Sequence, residues 1–188
     1  MFLSGARSTI VGLASLAVAV LVLVEAAGGP SYRDLAGAGS AGRAETARVS
    51  RVIDGDTLRV RRGNGETVAV RLALIDAPEL SRTRYGRAEC GGREAAAFLR
   101  QHAKGTVTLR RPGGKDTDRY GRQVREVVRR GRSIDEMVVT AGWAKPYRVA
   151  DRSGGAAANR RIERAAARAK RDRRGVWARC GGFARPIG

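Results

Sequence analysis

Cysteine and histidine are almost missing from this chain: its 188 residues include two cysteines and one histidine. A zinc site built from Cys and His needs more ligands than that, so this class is excluded. Histidine-dependent chemistry would rest on His102 alone. No partner motif accompanies it, so it reads as a surface or helix-capping residue. Acidic residues are also scarce, 18 against 37 Lys and Arg, for a formal net charge of +19. Internal repeats are absent, which excludes solenoids and arrays. The longest uncharged run, Ser8 to Val24, falls short of the roughly 20 residues that span a bilayer comfortably.

What is present begins with an asymmetry of charge. Residues 1–46 are neutral overall, so the whole excess lies in residues 47–188. A concentrated positive field suits a polyanion such as nucleic acid, an anionic membrane surface or an acidic glycan. Arginine supplies 33 of the 37 basic residues, so a single arginine carries little weight by itself. The N-terminus pairs Arg7 with the uncharged stretch to Val24, then offers small residues around Glu25. That pattern reads as a signal peptide or membrane anchor over 1–27, with the folded part secreted or held outside the membrane through residues 8–24. Residues 28–46 are rich in Gly, Ala and Ser and read as a flexible linker.

From Arg48 the texture changes. A strand-like run through Val49, Val52 and Ile53 stops at Asp54-Gly55, a second covers Thr57 to Arg62, and a third covers Thr67 to Ile75. The turn Gly63-Asn64-Gly65 between the last two is a strong hairpin signal. A polar loop over Asp76 to Gly92 precedes an expected helix over Arg93 to Lys104, with Ala96, Phe98, Leu99 and Ala103 on its apolar stripe. Thr106 to Arg110 and Val124 to Val128 read as further strands. Ser133 to Glu136 resembles a capping box for a helix ending at Gly142, and a basic helix covers Asn159 to Arg174. Five short strands with about three helices predict an α+β domain, mainly β barrel, of the OB type over 47–182, with a tail at 183–188. Trp143 and Trp177 read as core residues.

In an exported protein an even pair of cysteines predicts a disulfide, here Cys90 with Cys180. The scarce acids are concentrated: Asp54 and Asp56 lie at one strand end, Asp76 and Glu79 at another. Converging carboxylates repel unless a proton or cation lies among them. All-oxygen ligation without Cys or His suits a hard ion, Ca²⁺ or alternatively Mg²⁺. Phosphodiester cleavage needs a metal, a base and cations for the developing charge. Glu79 is the candidate base, and Arg71 and Arg122 are candidate bidentate phosphate ligands.

Three motifs then carry a resemblance. Val52-Ile53-Asp54-Gly55-Asp56-Thr57, Arg71 through Glu79, and Thr117-Asp118-Arg119-Tyr120-Gly121-Arg122 are similar, in order and spacing, to those of the staphylococcal nuclease (thermonuclease) family. The resemblance covers about Ala47 to Ala178. It implies a calcium-dependent endonuclease acting on DNA and RNA, leaving 3′-phosphate and 5′-hydroxyl ends. By the family pattern Asp56, Asp76 and the backbone carbonyl of Ala77 ligate the metal, with Asp54 in the outer shell. Glu79 acts as base on water, and Arg71 and Arg122 bind the phosphate and its transition state. Tyr120 and Tyr147 match tyrosines flanking the bound nucleotide. No obligate protein partner is implied, and a monomer is expected. The alternative is a catalytically inactive nucleic-acid-binding domain on the same barrel, but such a domain should have lost site carboxylates or arginines. Arg125 and Glu126 depart from the family pattern, standing where small or apolar residues are common.

Overall fold

The structure is a computed structural model that describes residues 44–80, 88–112, 115–147 and 155–183. The expected leader, nearly all of the expected linker and the tail beyond Phe183 lie outside the described residues.

The strands are β1 (Glu45–Val52), β2 (Thr57–Arg62), β3 (Thr67–Leu72), β4 (Ile75–Asp76), β5 (Thr106–Arg110), β6 (Gln123–Arg129), β7 (Arg132–Ser133) and β8 (Lys145–Pro146). The helices are α1 (Gly92–His102), α2 (Ile134–Thr140), α3 (Gly155–Arg171) and the single turn α4 (Val176–Arg179). Neighbours in the order β3-β2-β1-β5-β6 pair antiparallel, and a parallel β3–β6 pairing closes them into a five-stranded barrel. Closure removes the sheet edges that would otherwise invite aggregation. The expected OB-type barrel is therefore what the chain forms. Its first strand takes in Glu45 and Thr46, just ahead of the expected start at Ala47.

Strand alternation fills the interior. Leu58, Val60, Val70, Leu72, Val107, Leu109 and Val127 point inward and are almost completely buried, with Leu99, Ile134, Val138 and Ile162 packed on from the helices. The β2–β3 turn follows its sequence signal: Gly65 has φ 86°, and the Asn64 side chain accepts the Glu66 N–H at 3.0 Å. Ser133 caps α2 by accepting the Glu136 N–H at 3.4 Å, and Gly142 follows the helix at φ 78°. His102 does act at a helix end: Nδ1 lies 2.9 Å from the Phe98 carbonyl, and its ring stacks on Phe98. Trp143 is half-buried against the core, and Trp177 meets Phe183 edge-on.

The run Thr67 to Ile75 is not one strand. After Leu72 the chain turns, because the Ala73 N–H donates to the Arg125 carbonyl and the Leu74 N–H to the Asp135 carboxylate, and Ile75–Asp76 then pair with β8 instead. Arg125 is buried, and Asp116 pairs with its guanidinium at 2.6 Å. This departure from the family pattern is thus locally neutralised at the barrel seam, where Leu72 and Arg125 are partners. The predicted Cys90–Cys180 disulfide is present, with Cα atoms 6.0 Å apart. It joins the approach to α1 to the end of α4.

Candidate active site

The β1–β2 connection brings up the first acidic pair. Asp54 accepts the Asp56 N–H at 3.0 Å, a local side-chain turn that Asp forms readily. Gly55 between them is dictated by packing: a Cβ there would lie 2.6 Å from the Cβ atoms of both Ala77 and Ala95. The missing side chain lets the Asp54–Asp56 turn sit directly on the segment that carries Asp76 and Glu79.

Asp56 is buried and well tied down. Its Oδ2 accepts the Ala77 N–H at 2.8 Å and lies 3.1 Å from Arg71 Nη2, while Oδ1 accepts the Thr57 hydroxyl. Burial pushes its carboxyl up to about 7, with Asp54 and Asp76 adding to the rise and Arg71 and the Ala77 N–H opposing it. Arg71 lies between the two candidate ligands, since the same Nη2 is 3.1 Å from Asp76 Oδ1. Its Nη1 donates to the carbonyls of Leu72 and Ile75, at 2.6 Å each. Lys145, from β8, meets the other oxygen of Asp76 at 3.2 Å. Nothing in the sequence signalled that lysine, because β4–β8 pairing is what delivers it.

Arg122 enters from the turn before β6. Asp118 Oδ1 accepts the N–H groups of both Tyr120 and Arg122, and Oδ2 holds Arg122 Nε at 2.6 Å. Burial opposes ionisation of Asp118, but Arg122 and these backbone donors together hold its carboxyl below the usual carboxylate range. Arg122 Nη1 then reaches Thr57 Oγ1 at 3.1 Å, and Thr57 is paired across the sheet with Arg71. Arg71, Arg122, Tyr120 and Tyr147 line one cavity of about 490 Å³, joined by Lys115 and Arg119. Tyr120 and Tyr147 are among the most exposed large side chains, and each lies within cation–π range of a site arginine.

Glu79 is exposed, and its carboxyl is raised by partial burial and by the charges of Asp54, Glu89 and Asp76. The four carboxylates singled out in the sequence therefore do share one electrostatic neighbourhood. Among the described residues, however, no group of three or more His, Cys, Asp or Glu side chains closes into a metal cage. Asp56 and Asp76 do converge, but on Arg71 Nη2, 3.1 Å from each, and Lys145 holds the other Asp76 oxygen, so side-chain cations fill the space between the carboxylates. The donors themselves are all oxygen, a chemistry that suits a hard divalent ion taking the place of those cations.

A model of the family described as staphylococcal nuclease homologue matches residues 69–179, more than half of the chain. The chain belongs to the staphylococcal nuclease family. A micrococcal nuclease from Shigella flexneri is 34% identical over 116 residues, 62% of this chain and 53% of that protein. The probable endonuclease LCL3 of Schizophyllum commune is 32% identical over 61% of this chain and 41% of its own length. Endonuclease YhcR of Bacillus subtilis is 28% identical over 69% of this chain and 11% of its own. The aligned region thus spans about half or less of these curated relatives.

Proposed function

We propose that this staphylococcal nuclease family member is a calcium-dependent endonuclease that hydrolyses DNA and RNA to 3′-phosphate and 5′-hydroxyl ends. The observation that carries the reading is that Arg122 Nη1 reaches Thr57, the register partner of Arg71, while Arg71 itself lies between Asp56 and Asp76 and lines one cavity with Arg122. Two fixed guanidiniums beside a carboxylate pair match a phosphodiester approached by a hard cation.

In this reading Asp56, Asp76 and the Ala77 carbonyl would hold Ca²⁺, with Asp54 orienting the Asp56 loop. When bound, the ion supplies Lewis-acid polarisation of the phosphoryl oxygen. Arg71 and Arg122 grip the non-bridging oxygens and offset the charge that grows as the phosphorus becomes pentacoordinate. Glu79 takes the proton of the attacking water, and its raised carboxyl strengthens it as a base. Tyr120 and Tyr147 flank the nucleotide at the mouth of the cavity. We further propose an exported location, since disulfides persist in oxidising compartments, and a monomer without an obligate protein partner.

The test is degradation of single-stranded DNA by the full chain with Ca²⁺, Mg²⁺ or excess chelator, followed by end-group analysis. Ca²⁺-dependent cleavage to 3′-phosphate ends is expected. Tight binding without cleavage by a folded sample would reject the enzyme in favour of a binding domain.

A further inference from the structure

The outer face of the β1–β2 ladder carries two arginine pairs set directly opposite each other. Arg48 is the register partner of Arg61, and Arg51 is the partner of Arg59. All four side chains are exposed, and no acidic side chain of the described residues pairs with any of them, the acids nearest along the ladder being taken by Arg62. Arg62, next along β2, differs: it pairs with Glu45 at 2.6 Å and Glu66 at 2.8 Å. Like charges directly opposite each other destabilise a sheet, so acids would be the ordinary choice at these positions.

A β-bulge brings the pairs into line. The register shifts between Val49 and Arg51, and the Ser50 hydroxyl at the shift donates to the Arg59 carbonyl at 3.1 Å. Without that extra residue, Arg48 and Arg51, three apart, would point to opposite faces. With it, both project outward beside Arg59 and Arg61.

The same face leads to the site. Residues 57, 59 and 61 share one side of β2, and their β3 partners are Arg71, Ala69 and Thr67. Small side chains thus flank the arginines, and Thr57, the last position of the row, is the residue touched by Arg122. From Arg61 to Thr57 is four residues, roughly 13–14 Å of strand.

We propose that Arg48, Arg51, Arg59 and Arg61 form a track for the phosphate backbone of a nucleic-acid strand, extending from the cleavage site along the barrel's outer face. The inference rests on the nuclease reading and deepens it: the preferred substrate is a polynucleotide that runs several phosphates past the scissile bond, not a nucleotide or a dinucleotide. Guanidiniums in a double row suit a repeating, bidentate anion, and release of counterions supplies the affinity.

The test compares two fourfold Arg→Gln variants of the full chain, one at 48, 51, 59 and 61, the other at 110, 132, 164 and 168. The second set is also exposed and removes the same charge elsewhere. Binding of a labelled 30-nucleotide DNA strand is measured in excess chelator across a salt series, with thermal unfolding confirming that both variants fold. For the track variant, affinity should fall at least about tenfold, and the log–log salt slope should shrink by about 2–3, near 0.7 per lost phosphate contact on a single strand. The control should lose much less on both measures. Equal losses would overturn the proposal, as would a track variant that binds DNA normally but no longer binds phosphatidylserine vesicles. Cleavage of a dinucleoside monophosphate by the unsubstituted chain with Ca²⁺ reports on the catalytic reading separately, because that substrate carries no phosphate beyond the scissile one for the track to hold.

Discussion

Glu89 holds the main chain of Glu79 from both directions: its Oε2 accepts the Glu79 N–H at 3.1 Å, and its own N–H donates to the Glu79 carbonyl at 3.0 Å. The carboxylate of Glu89 is also among the charges that raise the Glu79 carboxyl. Glu89 therefore fixes the position of the proposed base and adds, after burial and Asp54, to its basicity. Glu89→Gln keeps an acceptor but removes the charge, so the acid limb of the pH–rate profile should move to lower pH. Glu89→Ala should lower kcat about tenfold or more through misplacement of the base. An unshifted acid limb in Glu89→Gln would show that the charge does not tune Glu79.

The chemical roles separate by size of effect. Glu79→Gln should reduce kcat by about 10²–10⁴, the usual range for loss of a general base. Arg122→Ala should cost about 10²–10³, as for removal of one preorganised transition-state donor. Single-turnover rates at saturating DNA check both, and losses below threefold would remove the residue from the chemistry.

Gly92, the first residue of α1, backs directly onto the site. A Cβ there would overlap the Glu79 carbonyl oxygen and lie 2.8 Å from its carbonyl carbon. The neighbour is main chain and cannot swing aside. Gly92→Ala should therefore displace Glu79, lowering kcat as well as stability, the latter by about 1–3 kcal/mol. Wild-type kcat with a folded protein would contradict the close approach.

Asp135 is fully buried, with its two oxygens accepting the N–H groups of Leu74 at 3.1 Å and Val127 at 3.0 Å. Burial pushes its carboxyl up to about 7 despite those donors. The folded state keeps this proton where the unfolded chain, near 3.9, has lost it. Its contribution to stability is thus complete below about pH 4 and fades as pH rises through 7. Asp135→Asn should flatten that part of the pH dependence while lowering stability by about 1–3 kcal/mol, because one N–H loses its acceptor. Urea unfolding in chelator at pH 5 and pH 8 reads both effects.

The disulfide spans 90 residues and ends beside Glu89. Replacing both cysteines by serine should lower unfolding stability by about 4–5 kcal/mol, the loop-closure value for that length. A loss under 1 kcal/mol would mean that the bond constrains little.

Local signals in the chain determined most of the fold and named the candidate site. Alternation marked the five barrel strands, Asn64-Gly65 placed the hairpin, Ser133 and Glu136 placed the α2 start, and three short motifs located Asp56, Asp76, Glu79, Arg71 and Arg122. These features were legible because each depends on residues within a few positions of one another. The long-range pairings decided the rest. Parallel β3–β6 closure ended β3 at Leu72, and β4–β8 pairing brought Lys145 to Asp76. The fold of the α1 approach set Glu89 on Glu79, and β1–β2 register with its bulge turned four arginines of an arginine-rich chain into two facing pairs. None of these has a sequence signature, because each joins segments whose separation along the chain says nothing of their distance in space. Composition alone made those arginines unremarkable; only the ladder shows which of them face one another without an acid between.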